Sequence, residues 1–320
     1  MEKLVYQMFI AGTGEYLNSF LEKGLGGVIF FTRDIESKES FIDLIRNVKS
    51  KSIYPPFLSI DQEGGRVERT ENIHERYLSP RYAFLKGEKF LKEQTEQIAH
   101  ELIEYGINLN FAPCADVQTN PDNPIIGERA FSDKTEEVIK GVKIVSDIYR
   151  KNGIIPCVKH YPGHGDADKD SHLTLPEIDL SMEDMKKYHI KPFEEAVKDG
   201  ADMIMAAHLW CKCFDKEVLP SSLSRNAIGY LRKELNYDGV IISDDMVMKG
   251  VQQYGSAEAV IKGIDAGLDM FIFRYSDSGL RDAILQVTEK AENDSSLREK
   301  IEKSNERILK LKEKYGIEKG

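Results

Sequence analysis

The chain has 320 residues, 41% of them hydrophobic, and a formal net charge of −10 at pH 7. This composition can build a large core, and the negative charge argues against general electrostatic binding of nucleic acid or of an anionic membrane. The apolar part of the N-terminal segment is too short for a signal peptide, and no run approaches the roughly 18 apolar residues of a membrane span. We therefore expect a soluble, cytoplasmic protein, and a monomer.

The sequence contains four cysteines, Cys114, Cys157, Cys211 and Cys213. The first two lie in apolar, strand-like runs and are predicted to be buried free thiols. Cys211 and Cys213 are too close together for the usual metal-binding spacing of two intervening residues. We therefore expect neither a structural disulfide nor a structural zinc site.

Short apolar runs alternate with amphipathic helical patterns along the chain. Helices are predicted at about 38–51, 134–152, 182–198, 225–235, 257–266, 280–293 and 297–315. Buried strands are predicted at 26–31, 57–60, 107–113, 154–158, 202–208, 239–243 and 269–273. This alternation is typical of parallel βαβ units.

Two α/β architectures fit this pattern, a (β/α)8 barrel and a doubly wound open sheet. The barrel is favoured because polar residues follow nearly every strand, and the carboxyl ends of barrel strands converge on one face. These residues are Arg33, Asp61, Asp116, Lys159, His160, His208 and Asp244. A barrel needs eight strands and the sequence shows seven, so one strand is expected to be irregular or mis-assigned. We expect a single catalytic domain over residues 1–320.

The loop after the fourth predicted strand, KHYPGHGDADKDSHLTLP at 159–176, concentrates titratable residues. Asp170 lies two residues before His172, so its carboxylate can accept the Nδ1–H of the imidazole and leave Nε2 free to exchange a proton. A second interpretation is a metal site that includes His160 and His164, although the spacing matches no strong helical metal motif. A third is that Asp170 and His172 are solvated loop residues.

Asp244 follows an apolar strand directly, so its carboxylate is predicted to lie at the mouth of the barrel. A carboxylate fixed there suits a nucleophile beneath a substrate carbon. The alternative is a helix N-cap, a role that the adjacent Asp245 could fill instead.

A further set of charged residues lies at strand ends or in the loops that follow them: Asp61, Arg66, Arg69, Arg129, Lys159 and His160. Such a rim suits sugar hydroxyls or an anionic substrate. Alternatively, Glu63, Glu128 and Asp133 pair with the arginines and stabilise the loops. Both roles can hold together.

Four motifs together resemble the family 3 glycoside hydrolases, and most closely their β-N-acetylglucosaminidase (NagZ-type) subgroup, which acts in peptidoglycan recycling. They are DQEGGRVER at 61–69, IGERAF at 126–131, the 159–176 loop and ISDDMVMKGV at 242–251. The KH-x-PGHG-x₄-DSH signature is the most specific of them. The resemblance spans residues 7 to about 269.

The resemblance implies a retaining exo-glycosidase that releases terminal N-acetylglucosamine from peptidoglycan-derived glycosides without a cofactor or a metal. Asp244 matches the nucleophile, His172 the general acid/base and Asp170 its partner. The residues that match the sugar-binding positions are Asp61, Arg69, Arg129, Lys159 and His160. The family barrel is often irregular, which suits the missing strand.

Several other functions stay open from sequence. A phosphorylase would use phosphate in place of water in the second step, and a histidine acid/base would repel phosphate less than a carboxylate does. A β-glucosidase or xylosidase of the same family is a second alternative, although the Asp170–His172 pair argues against it. A metal-dependent hydrolase and an inactive sugar-binding protein are alternatives from other classes.

Overall fold

The protein is a closed barrel of eight parallel strands, seen in a computed structural model that describes residues 1–167 and 175–317. The strands follow one another around the barrel in the order β1-β2-β3-β4-β5-β7-β9-β10, and β10 pairs with β1. They are β1 (Phe9–Ala11), β2 (Gly27–Phe30), β3 (Phe57–Ile60), β4 (Leu109–Asn110), β5 (Ile155–Tyr161), β7 (Met203–Ala206), β9 (Val240–Asp245) and β10 (Met270–Phe273). The predicted (β/α)8 architecture is confirmed, and the open sheet is excluded.

Two further strands form a separate parallel pair outside the barrel. These are β6 (Glu177–Ile178) and β8 (Trp210–Cys211). The pair lies beside the carboxyl ends of β5 and β7, because β6 comes after the long loop that leaves β5 and β8 comes four residues after β7. It thus ties the end of that loop to the segment that follows β7.

The helices surround the barrel. Those of the described ranges are α1 (Glu2–Gln7), α2 (Leu17–Lys23), α3 (Lys38–Lys51), α4 (Pro80–Leu85), α5 (Glu88–Tyr105), α6 (Thr135–Lys151), α7 (Met182–Asp184), α8 (Lys191–Lys198), α9 (Arg225–Gly229), α10 (Lys249–Gln252), α11 (Ser256–Ala266), α12 (Ser278–Asn293) and α13 (Ser295–Lys314). None of these helices is long and apolar enough to cross a membrane.

The strand that the sequence pattern did not reveal is β1. It has only three residues, all buried, and it pairs in parallel with both β2 and β10. A run this short, directly after a helix, gives no recognisable period. β1 is therefore the strand that the sequence-based prediction missed, and it closes the barrel in regular register. The irregularities of the barrel lie in the β5–β7 and β9–β10 pairs, where the register shifts.

Two predicted helices are less regular than expected. The predicted helix at 182–198 begins as α7, widens into a π-helical turn at Met185–His189 and continues as α8. Pro192 lies in the first turn of α8, where its missing N–H interrupts the regular bonding pattern of a longer helix. The predicted helix at 225–235 likewise ends in a π-helical turn, Tyr230–Glu234.

The amino-terminal end of the barrel is covered partly by α13. This helix places the buried side chain of Lys312 against the barrel, where Nζ donates a hydrogen bond to Gln7 Oε1 at 2.9 Å. The ammonium group also lies 5.0 Å from the centre of the Phe57 ring. Burial lowers the pKa of Lys312 to about 7, since no carboxylate among the described residues pairs with it.

Candidate active site

The polar residues predicted at the strand ends do converge on the carboxyl-terminal face of the barrel. Asp61 follows β3 directly, Lys159 and His160 are in the last part of β5, and Asp244 is in the last part of β9. Because the strands are parallel and closed, these side chains come from different parts of the sequence to one cleft. This is the face on which barrel enzymes keep their catalytic residues.

Lys159 is the central cation of the cleft. Its Nζ lies 2.9 Å from Asp61 Oδ1 and 2.6 Å from Glu63 Oε1, and its side chain is 2% exposed. Burial disfavours the charged amine, but the two carboxylates outweigh that cost and hold the pKa of Lys159 above its usual value. The ammonium group is therefore fixed and charged.

Arg129 and Glu63 form a buried bidentate pair beside Lys159. Arg129 reaches in from the loop after β4, and its Nε and Nη2 lie 2.9 and 2.8 Å from the two carboxylate oxygens of Glu63. Burial opposes ionisation of Glu63, yet Arg129 and Lys159 hold its pKa well below the ordinary range. The same Arg129 Nη2 lies 3.2 Å from His160 Nε2, so the pair also orients this imidazole.

Asp116, in the first part of the loop after β4, accepts hydrogen bonds from several groups at once. Its Oδ2 lies 2.7 Å from His160 Nδ1 and 3.1 Å from the Cys114 thiol, and its Oδ1 accepts the main-chain N–H of His164 at 2.6 Å. Despite its burial, these neighbours hold the pKa of Asp116 well below the ordinary range, chiefly through His160. Asp116 thus fixes the Nδ1–H tautomer of His160 and leaves its Nε2 to accept from Arg129.

The Cys114, Asp116 and His160 side chains also lie close enough to share a metal ion, since one ligand atom from each falls within 4.8 Å of the others. The hydrogen bonds just described already join these atoms in pairs. Burial raises the pKa of the Cys114 thiol far above its usual value, so the sulfur remains a protonated donor to Asp116. The donor set therefore fits a hydrogen-bonded cluster better than a thiolate metal site.

Arg69 and Asp61 form the more open side of the cleft. Arg69 Nη2 lies 3.7 Å from Asp61 Oδ2, and the two side chains are 26% and 17% exposed. Arg66, by contrast, donates to the main-chain oxygens of Pro124 and Ile126 and stabilises the loop. Asp61 and Arg69 can therefore reach a ligand, whereas Arg66 supports the wall.

Asp244 is half-buried at the end of β9. Its Oδ1 accepts the main-chain N–H of Asp245 at 2.7 Å, while Oδ2 accepts no hydrogen bond within the described part of the chain. Burial raises the pKa of this carboxyl, but His160, His208 and the Asp245 N–H outweigh it, and the pKa lies below the usual value. Asp244 is thus an ionised carboxylate at the barrel mouth, and the described residues leave one of its oxygens free.

Asp245 carries the local structural role that could have belonged to Asp244. Its carboxylate forms an ion pair with Arg274 and accepts the main-chain N–H of Val247 at 3.1 Å. The predicted helix N-cap is not formed by either aspartate, because α10 begins only at Lys249 and Met248 is its N-cap. Asp245 instead stabilises the turn between β9 and α10. Asp244 takes no part in the ion pair with Arg274 or in the hydrogen bond to Val247.

Asp170 and His172 lie outside the described residues, but both ends of their loop are described. The loop leaves through His164, whose N–H is bound to Asp116, and Gly165. It returns at Leu175, and a Cβ placed on Gly250 would lie 3.2 Å from Leu175 Cδ1 and 3.4 Å from His208 Cβ. The two anchor points of the loop therefore lie beside the His160 cluster and beside α10, the helix that follows β9.

Three residues of the cleft had no site role from sequence: Glu63, Asp116 and His208. Asp116 and His208 were predicted only to lie on this face, and Glu63 only to pair with an arginine and stabilise the loops. Each was visible as a polar residue near a strand end, but its partner comes from another strand. Glu63 does pair with an arginine, Arg129, as the loop-stabilising alternative predicted. Its contact with Lys159 was not predicted. The available signal was weak: too many cations were predicted on one face for Asp61 alone to balance.

A charged cleft at the carboxyl ends of an eight-stranded parallel barrel defines the class of barrel enzymes. Within that class, the sequence model described as the N-terminal domain of glycosyl hydrolase family 3 matches residues 3–311. The chain belongs to this family, as its motifs predicted.

Relatives and solved structures agree with the family. The chain is 30% identical to beta-hexosaminidase A of Pseudoalteromonas piscicida over 91% of its length and spans 53% of that protein. It is 32% identical to a beta-hexosaminidase of Haemophilus influenzae, with 82% of this chain and 75% of that protein aligned. The structure of a family 3 beta-N-acetylglucosaminidase from Paenibacillus sp. str. FPU-7 superposes with a TM-score of 0.94 at 31% identity, covering all of this chain and 63% of that one.

Proposed function

We propose that the chain is a retaining exo-β-N-acetylglucosaminidase that uses Asp244 as its nucleophile. The observation that carries the proposal is the ionised Asp244 carboxylate, with one oxygen free, facing a cleft of fixed charges from β3 and β5. The names of the relatives, beta-hexosaminidase and beta-N-acetylglucosaminidase, support an N-acetylhexosamine as the sugar.

In the first step Asp244 Oδ2 attacks the anomeric carbon and forms a glycosyl ester, while the bond to the leaving oxygen breaks and that oxygen takes a proton from His172. In the second step His172 removes a proton from water, the water oxygen attacks the anomeric carbon, and Asp244 leaves as a carboxylate. Two inversions give net retention. Asp170 would hold the tautomer of His172 that presents Nε2 to the substrate.

The sugar would be held by Asp61, Arg69, Arg129, Lys159 and His160. Lys159 and the Arg129–Glu63 pair are locked by ion pairs before a ligand arrives, so little side-chain ordering remains to be done on binding. Asp61 and Arg69 have exposed atoms that can bond hydroxyl groups. A preorganised cation beside an ionised nucleophile also keeps Asp244 unprotonated at neutral pH.

The resemblance to the peptidoglycan-recycling subgroup supports muropeptide-derived glycosides as the substrate and the cytoplasm as the place of action. In the structure, Arg33 is held between the rings of Phe31 and Tyr275, 4.4 and 4.6 Å from their centres, at the ends of β2 and β10. This exposed cation on the rim suits a substrate with a carboxylate beyond the cleaved bond.

The deciding experiment compares aryl β-N-acetylglucosaminide with aryl β-glucoside and β-xyloside, with and without phosphate. The proposal expects the first substrate to be preferred, with free sugar of retained anomeric configuration by NMR. Sugar 1-phosphate would instead identify a phosphorylase. Loss of activity on chelation, restored by metal, would favour the metal-dependent alternative.

A further inference from the structure

His208 lies directly behind the proposed nucleophile and has no part in the mechanism described so far. It follows β7 and is buried, with 1% of its surface exposed. Its Nε2 lies 3.1 Å from the main-chain oxygen of Asp244, and its Nδ1 lies 2.7 Å from Ser222 Oγ. A carbonyl oxygen can only accept, so Nε2 carries a hydrogen and donates it. The Ser222 hydroxyl can then donate to Nδ1.

The Asp244 carbonyl is available to His208 because the β9–β10 pairing is irregular at this point. Ile242 is opposite Met270, but Asp245 rather than Asp244 is opposite Ile272, so β9 contains one extra residue. The Ile272 N–H is accepted by the Ser243 hydroxyl at 3.2 Å. A bulge of this kind re-aims a side chain, and it leaves a main-chain group in need of another partner.

His208 is itself rigidly held. Ser222 is completely buried, and its main-chain N–H bonds to the Ala207 oxygen at 3.2 Å. The adjacent Ser221 bonds twice to the Leu209 oxygen, through its N–H at 2.7 Å and its hydroxyl at 2.9 Å. The segment 221–223 is thus fastened on both sides of His208, so the imidazole cannot turn without breaking these contacts.

Resting on the function proposed above, we propose that His208 is a positioning residue for Asp244. Its Nε2–H holds the bulged main chain of β9 and thereby aims the free Asp244 Oδ2 at the anomeric carbon. His208 does not exchange a proton with the substrate, because both of its ring nitrogens are occupied by protein groups. Burial keeps the imidazole neutral by lowering its pKa.

Two nearly isosteric variants separate this role from bulk packing. In His208→Gln the side-chain amide nitrogen can reach the place of Nε2 and donate to the Asp244 carbonyl. In His208→Asn the shorter amide can replace the contact with Ser222 and cannot reach Asp244. The Gln variant is expected to keep kcat/KM within about threefold of the wild type. The Asn variant is expected to lose about 10- to 100-fold in kcat, as a misaimed nucleophile does.

The measurements are kcat and KM with the aryl glycoside that the wild type hydrolyses best, the inhibition constant of the free sugar, and the melting temperature. Positioning predicts a kcat loss in His208→Asn with an inhibition constant near that of the wild type, and an unchanged pH profile in His208→Gln. Equal activities in the two variants, or losses that follow the melting temperature alone, would overturn the inference. A pH limb lost in His208→Gln would also overturn it by making His208 a proton-transfer group.

Asp244→Ala is measured alongside to separate the inference from the proposed function. If Asp244→Ala remains active, the proposed nucleophile is wrong and the inference fails with it. If Asp244→Ala is inactive and the Gln and Asn variants are alike, the proposed function stands and the positioning role alone is wrong.

Discussion

At the scale of single residues, Asp244 and its neighbour Asp245 have different roles, and the sequence alone could not show which residue has which role. Replacing Asp244 by Asn keeps an oxygen for the Asp245 N–H but removes the nucleophilic charge. We expect kcat to fall by at least about 10⁴-fold, on the order of 5 kcal/mol in activation free energy. Steady-state hydrolysis of an aryl N-acetylglucosaminide measures this loss. Asp43→Asn, an exposed aspartate on α3, is the matched control and should leave kcat unchanged.

His172 carries a prediction that depends on the leaving group. His172→Ala should lose most activity on substrates with poor leaving groups and much less on those with good ones, because a good leaving group needs little protonation. The measurement uses a series of aryl glycosides with leaving-group pKa values from about 4 to 10. It gives the slope of log kcat/KM against the pKa of the leaving group. Equal losses across the series would contradict the acid role.

Replacing Glu63 tests whether the buried cations of the cleft need this carboxylate for the fold to be stable. Glu63→Gln leaves Lys159 and Arg129 with too few anions in a buried site, and breaking such a network costs roughly 3–5 kcal/mol. Since the folded-state pKa of Glu63 is depressed, its stabilisation is present at neutral pH and is lost as pH falls below about 4.3, the unfolded value. Urea unfolding should therefore show that the free energy of unfolding of Glu63→Gln is far below that of the wild type at pH 7. The difference between the two proteins should be smaller at pH 3.5. A difference in unfolding free energy that is the same at both pH values would contradict this prediction.

The rim residues Asp61, Lys159 and Asp244 could be predicted because each adjoins an apolar strand in the sequence. The partners that fix their protonation and direction could not. Asp116 orients His160 across two strands, and His208 reaches Asp244 only because β9 has a bulge. Such pairings depend on register, which short apolar runs do not encode.

At the scale of elements, the loop after β5 is anchored by two glycines, Gly163 and Gly165. Gly163 has φ of 120°, in the left-handed region, and a Cβ on Gly165 would lie 1.8 Å from the Val117 oxygen. Gly165→Ala must therefore displace the start of the loop that carries Asp170 and His172. We expect kcat/KM to fall by about tenfold or more with loss of thermal stability.

Gly229, in α9, is the matched control for Gly165. A Cβ there would meet no atom within 4 Å, so Gly229→Ala should leave activity unchanged and raise stability by about 0.5–1 kcal/mol. Differential scanning calorimetry and aryl glycoside hydrolysis compare the two variants. If both alanines behave alike, the close approach of Gly165 to Val117 has no consequence for the site.

At the scale of the whole molecule, the barrel followed from the alternation of strands and helices and from the polar strand ends. The strand β1 did not, because three buried residues have no period of their own and are defined only by their two neighbours. The bounds of long amphipathic helices such as α3 were predictable, whereas the π-helical turns were not. The first of those turns precedes Pro192, which interrupts a helical pattern that looks continuous in sequence.

Lys312 gives a prediction for the stability of the complete barrel. Its pKa is lowered to about 7, so between pH 7 and about 10.4 the unfolded chain binds a proton that the folded chain does not. Unfolding free energy should therefore rise with pH in this range. Lys312→Met should remove that rise and stabilise the protein at pH 7 by about 1–3 kcal/mol. Guanidinium unfolding at pH 7 and 9 measures both effects, and exposed Lys310→Met should show neither.

The position of β1 bears on how the protein is made. Phe9 leaves the ribosome early, but its partner Phe271 on β10 follows about 260 residues later. At an elongation rate of 5–20 residues per second, one edge of β1 stays unpaired for roughly 13 to 52 seconds before β10 is synthesised. During that time β1 to β5 can pair in sequence as an open sheet with unpaired edges, the kind of intermediate that associates with other chains. The growing chain is therefore expected to be most prone to aggregation just before β10 emerges and closes the barrel.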